Sequence, residues 1–293
     1  MKKKAVFTGV GTALVTPFIN GEIDYGVLHS LIEMQIEAGV DALVIGGTTG
    51  EAATLSDSER YELYRYARSC IGDRCRLILG TGTNDTRVAL KHTKFAEECG
   101  ADAALLVTPY YNKGTEEGIF RHYSTIADNT TVPLILYNVP SRTGVNLGIN
   151  LLKRLAEREN IVGIKEAGDS LDRLVTLSTL TDSLPLYSGN DTQIYPTLAL
   201  GGMGVISVAS NIIPRRICDI CSLYFEGRIG ESLALQGELL SFIKALFVET
   251  NPAPIKYAMA KMNMIGGELR LPLCEVREST KRLIDEELAK ISD

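Results

Sequence analysis

The sequence predicts an α/β fold, a (β/α)8 TIM barrel with a C-terminal helical extension. Short apolar runs alternate with longer segments whose apolar residues recur at helical spacing, from the start of the chain to about residue 226. The short runs are apolar throughout, which is typical of parallel strands buried on both faces. There are eight such strand–helix units, and eight favour a closed barrel.

The predicted strands start roughly 20 to 35 residues apart, a spacing that leaves room for a helical crossover between parallel neighbours. They cover Phe7–Leu14, Ala42–Ile45, Arg76–Leu79, Ala103–Val107, Leu134–Tyr137, Ile161–Lys165, Leu186–Ser188 and Val205–Val208. Helical spacing between them predicts helices over Tyr25–Ala38, Ser58–Ile71, Arg87–Cys99, Thr115–Asp128 and Leu151–Arg158.

About 80 residues follow the eighth strand, and their pattern predicts helices throughout. The predicted helices are Arg215–Glu226, Ile229–Val248, Ile255–Met264 and Glu275–Ile291, with Pro252 and Pro254 separating the second from the third. One of them should complete the eighth barrel unit. We therefore expect a barrel over residues 1–226 that carries the active site, and an extension over residues 227–293 packed on the barrel.

An open dinucleotide-binding sheet is the alternative architecture. It requires a G-x-G-x-x-G turn between the first strand and the first helix. Gly9 and Gly11 instead lie inside the first predicted strand, and no glycine-rich turn opens the helix that follows. The pattern therefore disfavours this fold.

Composition narrows the function classes. The formal net charge is -6, which disfavours nucleic acid and anionic membranes as partners. No apolar run reaches the ~18 residues of a membrane span, and no signal peptide is predicted, so a cytoplasmic protein is expected. The six cysteines and three histidines show no disulfide framework and no metal-ligand spacing beyond the single pair Cys218 and Cys221, so no metal site is predicted.

A lysine ends the sixth predicted strand. The apolar run Ile161–Ile164 stops abruptly at Lys165. A solvated charge at a strand end is the ordinary interpretation. The alternative is an amine held in an apolar pocket, where desolvation lowers its pKa and leaves a neutral nucleophile that can form a Schiff base.

The other predicted strand ends help to decide between these interpretations, because active sites of such barrels lie at the carboxyl ends of the strands. The polar stretches there are Gly46–Glu51, Gly80–Gly82, Thr108–Asn112, Tyr137–Gly144, Gly189–Asp191 and Ser207–Asn211. They bring together tyrosine and threonine hydroxyls, a guanidinium and a lysine, without histidine, cysteine or paired free carboxylates. This set favours imine formation with proton relay over hydrolysis or metal catalysis.

Four of these stretches carry a resemblance that spans nearly the whole chain. Gly47–Glu51, Pro109–Asn112, Tyr137–Gly144 and Gly163–Ala167 resemble the dihydrodipicolinate synthases, within the N-acetylneuraminate lyase family of class I aldolases. The resemblance implies condensation of pyruvate with L-aspartate 4-semialdehyde to 4-hydroxy-tetrahydrodipicolinate, in lysine and diaminopimelate biosynthesis. It implies no cofactor beyond a covalent imine, and a homotetramer built as a dimer of dimers.

The resemblance also assigns roles to residues. Lys165 would form the Schiff base, and Thr48 and Thr49 would hold the pyruvate carboxylate. Tyr137 would act as acid and base, linked through Thr48 to Tyr111 of a neighbouring subunit. Arg142 would receive the carboxylate of the semialdehyde, and Gly189 and Ile206 would line the pyruvate pocket.

Lysine-inhibited members of the family bind lysine beside the loops that follow strands two, three and four. The matching positions are Ala52, Ala53, Asp57, Arg60, Asn84, Val88 and Tyr110. Sensitive bacterial enzymes usually carry a glutamate where Val88 stands, and tend to carry histidines at the positions of Asp57 and Arg60. Because valine offers no partner to a buried ammonium, we expect lysine to inhibit this chain weakly or not at all.

Three other functions fit parts of the pattern. A related aldolase could act on a sialic acid or a 2-keto-3-deoxy sugar acid, and Arg142 is the residue that argues against it. A phosphate-sugar enzyme would place glycines after strands seven and eight, whereas Gly201 and Gly202 precede strand eight. A barrel kept only as a binding module would be expected to lack the lysine or the tyrosines.

Overall fold

The computed structural model describes residues 2–291 and contains a closed barrel of eight parallel strands. This confirms the predicted fold class. In chain order the barrel strands are β1 (Gly9–Ala13), β2 (Ala42–Ile45), β3 (Arg76–Gly80), β4 (Ala103–Val107), β5 (Leu134–Asn138), β6 (Ile161–Glu166), β7 (Leu186–Ser188) and β8 (Gly204–Ser207).

Each barrel strand is followed by a helix that covers the outside of the barrel. These helices are α1 (Tyr25–Glu37), α2 (Asp57–Ile71), α3 (Thr86–Glu98), α4 (Glu116–Ala127), α5 (Ile149–Ala156), α6 (Leu171–Ser178), α7 (Ile194–Ala199) and α8 (Pro214–Phe225). A single turn, Pro140–Thr143, precedes α5. The extension contributes α9 (Ile229–Glu238), α10 (Leu240–Ala245), α11 (Ala253–Lys261) and α12 (Glu278–Ile291).

The barrel closes because β1 pairs in parallel with both β2 and β8. At its amino-terminal end the rings of Phe7 and Tyr187 stack with centroids 4.5 Å apart, and the Tyr187 hydroxyl donates to the Phe7 carbonyl at 2.8 Å. This end is therefore filled by side chains. Between β5 and β6, Tyr137 lies directly opposite Lys165, which brings both residues to the open carboxyl end.

Some predicted bounds are corrected by one to three residues. β1 is shorter than Phe7–Leu14, β3, β5 and β6 each extend one residue further, and β8 begins and ends one residue earlier. The sequence analysis also missed a two-stranded hairpin, Phe18–Ile19 with Glu22–Ile23. Its turn is Asn20-Gly21, and both residues adopt positive φ, 53° and 84°. Asn-Gly between apolar residues is a strong hairpin signal that could have predicted it.

The extension is not helical throughout, which corrects the prediction. Residues 262–277 form no helix between α11 and α12. Gly266, Gly267 and Pro272 explain this, because glycine and proline are the poorest helix formers, and Gly267 has a φ of 77°. The predicted helix Ile229–Val248 is divided at Leu239, two residues after Gly237.

The extension shares one apolar core with the barrel. Leu239, Phe242 and Ile243 are buried in the same cluster as Val10 and Leu14 of the barrel. The Ser232 hydroxyl of α9 donates to the Ile220 carbonyl of α8 at 2.7 Å. The extension thus packs on the barrel, while a domain boundary after residue 226 stays a prediction. Among residues 2–291, no helix is long and apolar enough to cross a membrane.

Candidate active site

A cavity of about 680 Å³ opens at the carboxyl end of the barrel. Its walls come from the ends of strands β2, β5, β6 and β7, and also from the end of the extension's α10 and the residues that follow it. Residues that line it include Gly47, Thr48, Thr49, Tyr137, Arg142, Lys165, Gly189, Asp191, Lys244, Phe247, Val248 and Asn251. The extension was expected only to pack on the barrel, and its part in the cavity was not predicted.

Lys165 is buried at the base of this cavity, with only 5% of its surface exposed. Its Nζ lies 4.3 Å from the centroid of the Tyr137 ring. Burial lowers the pKa of the Lys165 amine to about 8, with Arg142 acting in the same direction and Asp191 opposing them. The structure therefore favours the buried amine over the solvated strand-end charge, and at pH 7 about a tenth of an amine with this pKa is neutral.

Tyr137 is the hydroxyl nearest in register to the lysine. Burial raises the pKa of Tyr137, while Arg142 and the Thr48 hydroxyl oppose that rise. A phenol with a raised pKa stays protonated and can donate a proton to a developing oxyanion. The Thr48 side chain is hydrogen-bonded to Tyr137, so its hydroxyl can return a proton to the phenol.

The turn after β2 presents Thr48 and Thr49. It is closed by hydrogen bonds from the Gly50 N–H to the Gly47 carbonyl and from the Glu51 N–H to the Thr48 carbonyl, both 3.1 Å. A side chain at Gly50 would come within 3.2 Å of the Leu14 carbonyl, a tight contact that favours glycine there. This geometry exposes hydroxyls and backbone donors to the cavity, which suits a carboxylate.

Arg142 reaches the cavity from the turn after β5. Its Nη2 donates to the Asn251 carbonyl at 2.9 Å, and the Asn251 Nδ2 donates to the Thr49 hydroxyl at 3.0 Å. Asn251 thus joins two predicted substrate-binding residues. Sequence analysis missed it, because Pro252 beside it was interpreted only as a helix breaker.

Asp191 is a further buried residue that the sequence analysis left unassigned. It is 1% exposed, accepts hydrogen bonds from the Ser207 hydroxyl and from the Val208 N–H at 2.9 Å, and lines the cavity that contains Lys165. Its position at the end of β7 was the available signal. Burial raises the pKa of the Asp191 carboxyl, while the hydrogen bonds from Ser207 and Val208 and the nearby Lys165 oppose that rise.

Gly189 and Ile206 were both predicted to line the pyruvate pocket, but only one of them lines the cavity. Gly189 lines the cavity, and a side chain there would come within 2.7 Å of the Ala167 Cβ, so the wall permits only glycine. Ile206 is fully buried in the apolar cluster that contains Tyr137 and Ala167, and it is not among the residues that line the cavity.

Tyr111 lies away from the cavity within its own chain. It is 89% exposed and has a φ of 70°, in the left-handed region that non-glycine residues rarely adopt. Its hydroxyl is therefore not part of the site that a single chain forms. This is the arrangement expected if Tyr111 serves a neighbouring subunit.

The predicted effector positions gather partly around a second cavity of about 470 Å³. Ala52, Ala53, Asp57, Arg60 and Tyr110 line it, whereas Asn84 and Val88 do not. The Arg60 guanidinium is buried and donates to the carbonyls of Gly80 and Ala52 at 3.2 and 2.6 Å.

Asp57 at this second cavity is already engaged. It accepts from Lys91 at 2.8 Å and lies 3.0 Å from His92 Nε2. These two contacts lower the pKa of the Asp57 carboxyl to about 2. An effector ammonium would therefore compete with an existing cation for it. Within residues 2–291, no group of three or more potential metal ligands is found.

Comparison with known proteins gives a consistent result. The model of the dihydrodipicolinate synthetase family matches residues 6–291. A 4-hydroxy-tetrahydrodipicolinate synthase of Clostridium novyi is 46% identical over 95% of this chain and 95% of its own. A 4-hydroxy-tetrahydrodipicolinate synthase of Clostridium tetani is 45% identical, over 97% of this chain and 98% of its own. The crystal structure of dihydrodipicolinate synthase from Thermotoga maritima superposes with a TM-score of 0.96 at 42% identity, covering 98% of this chain and 99% of that one.

Proposed function

This chain belongs to the dihydrodipicolinate synthetase family, and we propose that it condenses pyruvate with L-aspartate 4-semialdehyde to give 4-hydroxy-tetrahydrodipicolinate. It is a lyase of the class I aldolase type. The observation that carries the proposal is the Lys165 amine, buried at the base of a cavity with its pKa lowered to about 8. We propose that the imine on this lysine replaces any cofactor.

The first half of the reaction uses Lys165 and its neighbours. The neutral amine attacks the pyruvate carbonyl carbon, and the carbinolamine loses water to give an iminium. The iminium withdraws electrons from the methyl carbon, which loses a proton and becomes an enamine. Tyr137 supplies and removes these protons, while the Thr48–Thr49 turn holds the carboxylate.

The second half forms the carbon–carbon bond. The enamine carbon attacks the aldehyde carbon of the second substrate, and Tyr137 protonates the resulting alkoxide. The substrate's own amino group, once it has lost its proton to solvent, attacks the iminium carbon, closes the ring and displaces Lys165 as a free amine. Arg142 holds the semialdehyde carboxylate, since its planar guanidinium suits bidentate contact.

Trapping of the imine tests the proposal. Incubation with pyruvate and borohydride is expected to add a reduced pyruvyl group at Lys165, detected by mass spectrometry of the digested protein. Lys165→Ala should abolish the adduct and lower turnover by several orders of magnitude. Lys244→Ala is the matched control, because Lys244 lines the same cavity and should leave the adduct on Lys165. A full adduct in Lys165→Ala would contradict the assignment.

The pH dependence of trapping gives a second readout. A lysine with a pKa near 8 is mostly protonated below that pH, so the rate of imine formation should fall about tenfold per unit there and level off above it. A lysine with an ordinary pKa of 10.5 would show no levelling near pH 8.

Three further proposals concern the assembly of the protein, its location and its response to lysine. We propose a homotetramer in which Tyr111 of one subunit completes the relay of another, supported by its exposure in the single chain. We propose a cytoplasmic location, supported by six free thiols, which suit a reducing compartment. We also propose weak or absent inhibition by lysine.

A further inference from the structure

Asp169 lines the cavity that contains Lys165 and Arg142. It stands four residues after Lys165, in the loop between β6 and α6. Its Oδ1 accepts a hydrogen bond from Asn190 Nδ2 at 3.3 Å, which leaves further acceptor capacity on an exposed carboxylate. Within residues 2–291 it forms no ion pair.

The other carboxylates on the cavity wall are already engaged. Asp191 accepts from the Ser207 hydroxyl and the Val208 N–H, and it is fully buried. Glu249 is only half-exposed, and it accepts from the Arg277 N–H at 3.0 Å and from the Thr280 side chain, whereas Asp169 is exposed. Asp169 is thus the cavity carboxylate that a cationic group could approach from solvent.

The second substrate of the proposed reaction carries such a group. L-Aspartate 4-semialdehyde bears a carboxylate and an ammonium on the same carbon. Arg142 can take the carboxylate, but the ammonium would then lie among Arg142, Lys244 and the cationic iminium of Lys165. A like charge in such a half-open cavity is unfavourable unless an anion accompanies it.

We propose that Asp169 binds the α-ammonium of the semialdehyde and thereby selects an amino-acid aldehyde over aldehydes that lack the amino group. Asp169 acts here as a specificity-determining residue at the binding step, and it must release the group as a neutral amine before that amine attacks the iminium carbon. The inference rests on the proposed function. It pairs an anion with a guanidinium across one cavity, the arrangement that recognises both charges of an amino acid.

Substrates with and without the amino group test this. The KM for L-aspartate 4-semialdehyde should rise roughly tenfold in Asp169→Asn, because this substitution removes one charge-assisted hydrogen bond to the ammonium. The same aldehyde without its amino group, 4-oxobutanoate, competes for the site but offers no ammonium. The inhibition constant of 4-oxobutanoate in Asp169→Asn should stay within about twofold of its value in the unsubstituted enzyme. Asp172→Asn removes a nearby exposed carboxylate outside the cavity and should change neither constant.

Each outcome has one meaning. A KM change below twofold, or an equal weakening of both compounds, overturns the role of Asp169. Borohydride trapping of pyruvate in Asp169→Asn shows that the barrel and the imine site are intact. If the unsubstituted enzyme fails to trap pyruvate, the proposed function falls and this inference with it. If it traps and turns over normally while Asp169→Asn has no effect, only this inference falls.

Discussion

At the scale of single residues, the proposed reactivity of Lys165 depends on its surroundings. A lysine in water has a pKa of 10.5 and is protonated at neutral pH. The nearly complete burial of Lys165 removes water from the ammonium and lowers its pKa. Arg142 and Asp191 act on it in opposite directions. The balance leaves an amine that can be neutral near physiological pH and cationic once it forms an imine.

Arg142 is expected to serve the aldehyde and not pyruvate. Arg142→Ala removes a charge-assisted contact of roughly 1.5–3 kcal/mol to the semialdehyde carboxylate. The KM for the semialdehyde should therefore rise tenfold or more, while borohydride trapping of pyruvate survives. Arg121→Ala, an exposed arginine on α4 outside the cavity, is the matched control. Lost trapping with an unchanged semialdehyde KM would reverse the assignment.

At the scale of elements, a buried ion pair ties the extension to the turn that follows β2. Lys256 of α11 and Glu51 pair with both side chains fully buried. The Lys256 Nζ also donates to the Glu268 carbonyl at 2.8 Å, and Glu51 accepts from the Arg270 N–H at 3.0 Å. Because Glu51 stands two residues after Thr49, α11 and residues 262–277 brace the turn that presents Thr48 and Thr49.

Lys256→Met should therefore destabilise the protein. It leaves the Glu51 carboxylate buried without its partner, at a cost of about 3–5 kcal/mol. Urea unfolding at fixed protein concentration measures this loss. The control is Lys261→Met on the same helix, whose exposed pair with Asp285 should matter little. Equal effects of the two substitutions would show that the buried pair does not brace the turn.

At the scale of the whole molecule, Tyr111 is the predicted link between assembly and catalysis. A tyrosine exposed to 89% in a strained loop conformation is typical of a residue that a partner covers. We expect a tetramer in sedimentation at micromolar concentration, and about a hundredfold lower kcat in Tyr111→Phe with trapping of pyruvate retained. Tyr195→Phe, a tyrosine away from the cavity, should keep its kcat. A fully active monomer would exclude a role for Tyr111 in a neighbouring site.

Regulation also belongs to this scale, because the effector positions come from three successive units of the barrel. Val88 offers no charge, and Asp57 is already paired with Lys91 and His92. Free lysine should therefore inhibit weakly or not at all in an activity titration at saturating pyruvate and semialdehyde. Half-inhibition at submillimolar lysine would contradict this expectation.

The sequence by itself determined the barrel and the position of its reactive lysine. Both follow from local patterns: apolar runs of strand length, helical spacing between them, and a lysine at the end of Ile161–Ile164. Strand ends meet at one edge of a parallel barrel, so the grouping of Thr48, Tyr137 and Lys165 could be predicted without coordinates.

The tertiary structure alone decided which distant residues complete the site. Asn251 meets Thr49 across 202 residues of sequence and Arg142 across 109, and no local pattern encodes such pairings. The loop of residues 262–277 was predicted as part of a helical tail. It is held by Arg270, whose N–H donates to the Glu51 carboxylate and whose guanidinium donates to the Thr54 carbonyl. Burial, and with it the lowered pKa of Lys165, exists only once these segments have packed together, because desolvation is a property of the assembled cavity.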